Sequence, residues 1–415
     1  MIDAINVVGL GYIGLPTALL FAAQGIKVVG TDCNKKLISD LQDGIITFKE
    51  NGLSELFGGA LRSDIKFVTE YHIAEAYIVA VPTPYDKASK KIDTQYIISA
   101  LKSITEVCPR GAVIIIESTV SPGTIYKTVY PFIESYGFEI GKDIHIVHAP
   151  ERIIPGNMLY ELANNSRTIG ADSREIGEKV KELYSSFCNG EIIITDIRTA
   201  EMTKVVENTY RDINIAFANE LAKICRSDGM DVYEIISIAN KHPRVNIMQP
   251  GPGVGGHCIS VDPWFLVGDY PGLSNIILAA RKINDSMPGY VLSRLYDIMK
   301  EQNMTDITKV GLYGLTYKEN VDDIRESPAL QLLEMQRRHL ANELKVYDPL
   351  VKTQITDNQY FDIDSFLNDI ELVVIMAAHD DIKMNIDKFK NKIIFDTKNI
   401  FDCGHFGYSV NIYKL

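Results

Sequence analysis

Cys258 lies in the stretch Gly251-Pro252-Gly253-Val254-Gly255-Gly256-His257-Cys258-Ile259-Ser260-Val261-Asp262-Pro263-Trp264, with a carboxylate four residues on at Asp262. This density of glycine and proline predicts a tight loop rather than a helix or strand. Its backbone could approach a bulky ligand closely. A thiol attacks only as thiolate, which needs a polar, partly open setting, and such a loop offers one. The competing reading is a glycine turn around a buried thiol. Upstream, Lys204, Asn208 and Asp212 recur at i, i+4 and i+8 in an otherwise apolar segment, which predicts a polar stripe on one helix face. A solvated face is the competing reading there. An ammonium and an amide on one face can both donate to a developing oxyanion.

Parallel strands and one long helix must position these groups. Ile5-Asn6-Val7-Val8 runs into Gly9-Leu10-Gly11-Tyr12-Ile13-Gly14, followed by a helical pattern ending at Gly25 and a strand, Lys27 to Thr31, that leads to Asp32. This strand–turn–helix–strand–acid order is a dinucleotide-binding unit. The glycines allow a tight turn, and the pyrophosphate would sit on the helix N-terminus. Asp32 would accept from the adenosine ribose and repel a 2'-phosphate, which predicts NAD rather than NADP. This context makes Cys258 a candidate nucleophile.

Further apolar runs, Ile65–Val68, Tyr77–Val81, Ala112–Ile116 and Ile144–His148, look like strands buried on both faces of a parallel sheet. Ligands of such sheets bind outside the carboxyl ends of the strands, where Thr83, Thr119 and Glu151 fall. A helix is predicted from Thr199 to about Ser227, another over Val232–Asn240, and a third over Ser274–Met299. Strand, helix (Pro328–His339), strand and two more strands then predict a second α/β unit. Lys318 and Arg325 follow its first strand, where cations suit a diphosphate. The predicted domains are residues 1–198 (cofactor), 199–300 (helical, carrying the cysteine loop) and 301–415 (second α/β unit).

With 415 residues, 46% hydrophobic and 23% charged, the chain reads as a globular protein of several domains. A net charge of −12 argues against a nucleic-acid or acidic-membrane binder. The six cysteines are scattered, without a Cys-x-x-Cys pair, so neither a disulfide framework nor a metal site is expected. No leader or membrane-spanning run is read, which predicts a cytoplasmic protein.

Taken together, Gly9–Pro16, Val81-Pro82-Thr83-Pro84, Glu117-Ser118-Thr119-Val120, Lys204 with Asn208, Gly255-Gly256-His257-Cys258, and Tyr317-Lys318 with Asp323–Ser327 resemble the nucleotide-sugar 6-dehydrogenases, the UDP-glucose/UDP-N-acetylmannosamine dehydrogenase family. The resemblance covers essentially the whole chain. It implies two Rossmann-like α/β domains with parallel sheets joined by a long central helix, NAD in the first domain, UDP in the last, and a homodimer. Ala149–Gly156, Pro243–Asn246, His257 before the cysteine and Val261 before Asp262 are similar to the N-acetylhexosamine branch. That branch implies UDP-N-acetyl-D-mannosamine as substrate, its gluco epimer or UDP-glucose as alternatives, and a product used in surface polysaccharide such as capsule. By resemblance, Lys204, Asn208 and Asp262 serve the first oxidation, Cys258 captures the aldehyde, and Thr119 and Glu151 assist. Gly9, Gly11, Tyr12, Ile13, Gly14, Asp32, Thr83, Thr119 and Arg325 would bind the cofactor. Glu151, Arg152, Lys204, Asn208, Gly255, His257 and Lys318 would bind the substrate, with Arg244 reaching it across the dimer. Lys398 departs from the arginine of the UDP-glucose enzymes and cannot form a bidentate fork. Two rival classes are a two-electron β-hydroxyacid dehydrogenase, which needs neither Cys258 nor residues 305–415, and a non-catalytic nucleotide-sugar sensor.

Overall fold

The computed structural model describes residues 2–154, 156–338, 343–401 and 411–415. Pro155, His339 and Cys403, which figured in the sequence reading, lie outside the described residues. The chain forms two compact units, Met1–Glu207 with Gly268–Pro271, and Asn208–Val267 with Gly272–Leu415.

The first unit carries an eight-stranded sheet in the order β3-β2-β1-β4-β5-β6-β7-β8. Its strands are β1 (Ala4–Val8), β2 (Lys27–Thr31), β3 (Ile65–Val68), β4 (Ala76–Val79), β5 (Ala112–Ile116), β6 (Ile144–His148), β7 (Arg167–Ala171) and β8 (Ile192–Thr195). Val113 and Ile115 of β5 join one apolar core, while Ile114 and Ile116 join another. A strand covered on both faces has no solvated side to code for, which is why β4, β5 and β6 read as continuous apolar runs. The sequence reading missed β7 and β8, and β7 pairs antiparallel to β6, unlike the other pairings of this sheet. Both are four or five residues long.

The second unit holds a six-stranded sheet, order β11-β10-β9-β12-β13-β14, parallel throughout. These strands are β9 (Val310–Tyr313), β10 (Lys345–Tyr347), β11 (Gln359–Tyr360), β12 (Leu372–Ile375), β13 (Ile393–Asp396) and β14 (Ile412–Lys414). It repeats the first unit's opening device. Gly9 and Gly314 follow the first strand of each unit at φ +89° and +93°. A Cβ on Gly9 would meet the Ala80 carbonyl oxygen at 2.7 Å, and one on Gly314 the Ala377 Cβ at 2.6 Å. Asp32 Oδ2 accepts from the Leu10 amide at 2.9 Å, and Asp348 Oδ2 from the Leu315 amide at 2.7 Å. The two copies then diverge. Asp348 is buried, and its oxygens also take the amides of Thr316, Leu350 and Val351 and face His379 Nε2. It offers no open oxygen to a ribose, whereas Asp32 stays partly exposed.

A 31-residue helix, Ile197–Ser227, carries Lys204, Asn208 and Asp212. It ends where Gly229 adopts φ +69°, a left-handed conformation that suits glycine. The helix Asn275–Glu301 runs two residues beyond the predicted end at Met299.

Candidate active site

The first-unit site is built on the glycine turn. A Cβ on Gly14 would lie 1.8 Å from the Gly9 carbonyl oxygen, so only glycine lets the first helix (Gly14–Ala23) leave the turn this closely. Gly11 is exposed and a Cβ there would meet no atom within 4 Å. That open flank beside the helix N-terminus is the space a pyrophosphate needs. With Asp32 holding the turn through Leu10 and keeping a face to solvent, the residues present fit a dinucleotide. Tyr12 and Ile13 form the half-buried outer edge of the turn.

Thr83, Thr119 and Glu151 follow β4, β5 and β6, three neighbouring parallel strands, so they share one edge of the sheet. Glu151 is buried with Lys204 Nζ 3.9 Å away, and its other oxygen accepts from the Ile153 amide at 2.7 Å. His148, fully buried one residue before Ala149, donates from Nδ1 to the Ile116 carbonyl at 2.9 Å. Burial, with the Lys204 charge adding to it, pushes its pKa down to about 4, so His148 stays neutral beside Lys204.

Arg152, expected to bind substrate, has its guanidinium taken up by protein. Nε and Nη2 reach the Glu207 carboxylate at 3.1 and 2.7 Å. Nη1 donates to the Ser166 carbonyl and hydroxyl at 3.0 and 2.8 Å, and Nη2 to the Thr168 hydroxyl at 2.9 Å. Glu207 lies one turn beyond Lys204, so Arg152 and Glu151 bind adjacent turns of the same helix. Glu201, one turn before Lys204, was missed by sequence reasoning. Its oxygens accept from the Gly123 amide and, at 2.9 Å, from the Ile125 amide, pinning the segment after Thr119.

In the second unit the Cys258 thiol is exposed. The expectation of an unbroken loop needs correction at its end, because a helix, Asp262–Asp269, starts at Asp262. The glycine density hid that start, although Pro263 in a first turn is a helix-start signal. The Asp262 amide donates to the Cys258 carbonyl at 2.8 Å, so thiol and carboxylate sit one turn apart. Asn208 Nδ2 donates to Asp262 Oδ2 at 2.6 Å, and both residues are buried. The polar stripe is therefore not a solvated face: Lys204, Asn208 and Asp212 are 5%, 7% and 0% exposed.

Gly255 and Gly256 seat the loop on the turn after β9. A Cβ on Gly255 would stand 2.6 Å from both the Tyr317 Cβ and the Glu326 carbonyl oxygen, and the Gly256 amide donates to the Arg325 carbonyl at 2.9 Å. Lys318 is half-buried in that turn. Arg325 is exposed and forks onto Asp323, with Nη2 to Oδ2 at 2.6 Å. His257 and Arg244 are exposed, and Lys398 Nζ comes near Gly251. Among the described residues no cluster of three or more His, Cys, Asp or Glu stands ready for a metal ion.

Two Rossmann-like sheets, one with an open glycine turn and a partly exposed carboxylate at Asp32, and a second that carries an exposed thiol loop, define an NAD-dependent dehydrogenase. The chain belongs to the UDP-glucose/GDP-mannose dehydrogenase family: it matches the family's NAD binding domain over residues 3–188, its central domain over 198–286 and its UDP binding domain over 311–403. It is 43% identical to a UDP-N-acetyl-D-mannosamine dehydrogenase of Methanococcus maripaludis, over 97% of this chain and 94% of that one. It is 38% identical to an NDP-N-acetyl-D-galactosaminuronic acid dehydrogenase of Ralstonia nicotianae, over 96% of each. Among solved structures, the UDP-N-acetyl-mannosamine dehydrogenase Cap5O from Staphylococcus aureus superposes with a TM-score of 0.88 at 43% identity, covering 99% of this chain and 98% of that one.

Proposed function

We propose that this enzyme oxidises UDP-N-acetyl-D-mannosamine at C6 to the uronate, using two NAD in succession. The observation that carries this reading is the exposed Cys258 thiol one helical turn from a buried Asp262 that Asn208 holds at 2.6 Å. The choice of sugar rests on the likeness to the N-acetylmannosamine enzymes and on the Pro150-Glu151-Arg152 and His257-Cys258 segments.

NAD, when bound on the Gly9–Gly14 turn, accepts a hydride in each oxidation. Asp262, through a water, takes the C6 hydroxyl proton, and Lys204 and Asn208 donate to the oxygen as charge develops on it. The alcohol thereby loses a proton and a hydride and becomes an aldehyde. The Cys258 thiolate adds to the aldehyde carbon, giving a thiohemiacetal, which keeps the intermediate bound. Loss of a second hydride leaves a thioester. Water, directed by Asp262 with help from Thr119 and Glu151, breaks the C–S bond to give carboxylate and free thiol. Thr83, Thr119 and Arg325 contact the cofactor. Gly255, His257 and Lys318 contact the nucleotide sugar, and Arg152 serves it by tying the segment that carries Glu151 to Glu207 on the helix that carries Lys204.

The domains of this reading are residues 1–198, 199–300 and 301–415. A homodimer accounts for Val206, Tyr210, Phe217 and Ile224, which are 46–63% exposed along the long helix and call for apolar cover. Arg244 would then reach the partner's sugar. No helix among the described residues is long and apolar enough to cross a membrane. The reading places the enzyme in the cytoplasm, supplying a surface polysaccharide such as capsule.

The test is NADH formed per sugar with UDP-N-acetylmannosamine, UDP-N-acetylglucosamine and UDP-glucose supplied separately, for the native chain and Cys258→Ala. Two NADH per sugar with the first alone, and no acid from the variant, is the expected result. One NADH per sugar, or acid formation without Cys258, refutes the mechanism. Preference for either of the other sugars refutes the substrate.

A further inference from the structure

The stripe on the long helix does not stop at Asn208, and its next members have no part in the chemistry. Asp212 and Asn219 lie on that helix, and Arg281 and Asn284 on the helix Asn275–Glu301; all four are 0–1% exposed. Arg281 Nη1 donates to Asp212 Oδ1 at 2.5 Å, and Asn284 Nδ2 donates to the same oxygen at 2.8 Å and to the Asp212 carbonyl at 3.0 Å. Asn219 Nδ2 donates to Asn284 Oδ1 at 2.9 Å. The four side chains thus form one connected set.

Both ends of this set finish on the cysteine loop. Asn219 Oδ1 accepts from the Gly251 amide at 2.8 Å, where the loop begins. Arg281 Nη1 reaches the Ile259 carbonyl at 3.5 Å, one residue beyond Cys258, and its guanidinium stands 6.0 Å from the Trp264 ring centre. A glycine loop has little side-chain packing of its own to fix it, and glycine has the most conformational freedom to lose. Fastening its two ends to buried side chains on two helices supplies the missing constraint.

The set is not built for stability alone. Asp212 Oδ2 and Arg281 Nε are buried without a hydrogen-bond partner, and an incompletely satisfied buried ion pair contributes less than an apolar pair of the same volume. Well-packed apolar residues would join the helices at least as well but could not hold a backbone amide and a backbone carbonyl.

We propose that Asp212, Asn219, Arg281 and Asn284 form a positioning frame that sets the reach of the Cys258 thiol, by holding Gly251 and Ile259 at the two ends of its loop. This rests on the reading of Cys258 as the group that captures the aldehyde. The four residues touch neither substrate nor cofactor in that reading.

The test uses the full-length enzyme with Asn219→Ala and Arg281→Lys, the second keeping the charge but not the fork. Three quantities are read below the melting temperature of each variant: steady-state kinetics, NADH per sugar, and the rate at which iodoacetamide alkylates Cys258, resolved by peptide mass so that exposed Cys33 does not interfere. A misplaced nucleophile predicts a kcat lowered about tenfold or more, with KM for NAD unchanged. It also predicts fewer than two NADH per sugar as aldehyde escapes, and a Cys258 alkylation rate altered about threefold or more. Lower melting temperatures with all three quantities unchanged would reduce the frame to structural support and overturn the proposal. Alkylation is measured without substrate, so it judges the frame even if Cys258→Ala still makes acid. In that event the mechanism fails, while the frame stands or falls on the alkylation rates.

Discussion

Glu201 is a carboxyl group placed where burial and hydrogen bonding oppose each other. It is 0% exposed, and its two oxygens accept from the amides of Gly123 and Ile125. Burial is the larger influence and pushes its pKa from an ordinary 4.5 up to about 7, against those two donors and the nearby charges of Arg198 and Lys127. A carboxyl whose folded pKa is raised binds its proton more tightly in the folded chain. Its contribution to stability is therefore full below about pH 4.5 and is lost as the pH rises through about 7. At 1.36 kcal/mol per pKa unit, the loss is about 3 kcal/mol. Glu201→Gln cannot titrate, and it leaves one of the two amides without its acceptor, an offset of about 1–3 kcal/mol that does not depend on pH. Urea unfolding of both proteins, followed by far-ultraviolet circular dichroism between about pH 4.5 and pH 8.5, isolates the group, because the other carboxylates cancel in the difference. The stability of the native chain minus that of Glu201→Gln should fall by about 3 kcal/mol across that range and level off above about pH 8. A difference that stays flat, or grows with pH, would mean that the two amide donors outweigh burial and that the reasoning is wrong.

The glycine turn separates fold from ligand. Gly14→Ala should cost about 1–3 kcal/mol of stability as well as NAD binding, because its Cβ meets backbone, whereas Gly11→Ala should melt normally and still bind NAD more weakly in a titration. Arg152→Lys, which replaces a five-contact fork by one ammonium, should lower kcat with little rise in the KM for the sugar nucleotide, and Glu207→Gln should do the same. The double variant should be no worse than either single one, as expected for two residues acting through one contact. A KM effect confined to Arg152→Lys would instead place that side chain on the substrate.

The residues themselves were enough to locate the turn Gly9–Gly14, the acid Asp32 and the strand ends at Thr83, Thr119 and Glu151. These rest on local constraints: positive φ, close backbone approach and an unbroken run of apolar residues each leave a mark within a few positions. The direction of β7 left no such mark, since periodicity carries no sign and the strand is short. Asp212 was visible as the third member of a stripe, but its burial was not, and nothing singled out Arg281 and Asn284 within the helix predicted over Ser274–Met299. Arg152 was legible as a motif residue, yet its commitment to Glu207, Ser166 and Thr168 was not.

The chain alone thus determined the kind of fold and the cofactor, because each is written in neighbouring residues. Only the tertiary structure decided which polar and charged side chains are buried against one another and which stay open. That distinction depends on partners 50 or more positions away, such as Asn208 with Asp262 and Asp212 with Arg281, and on the burial that makes an unpaired charge too costly to leave inside.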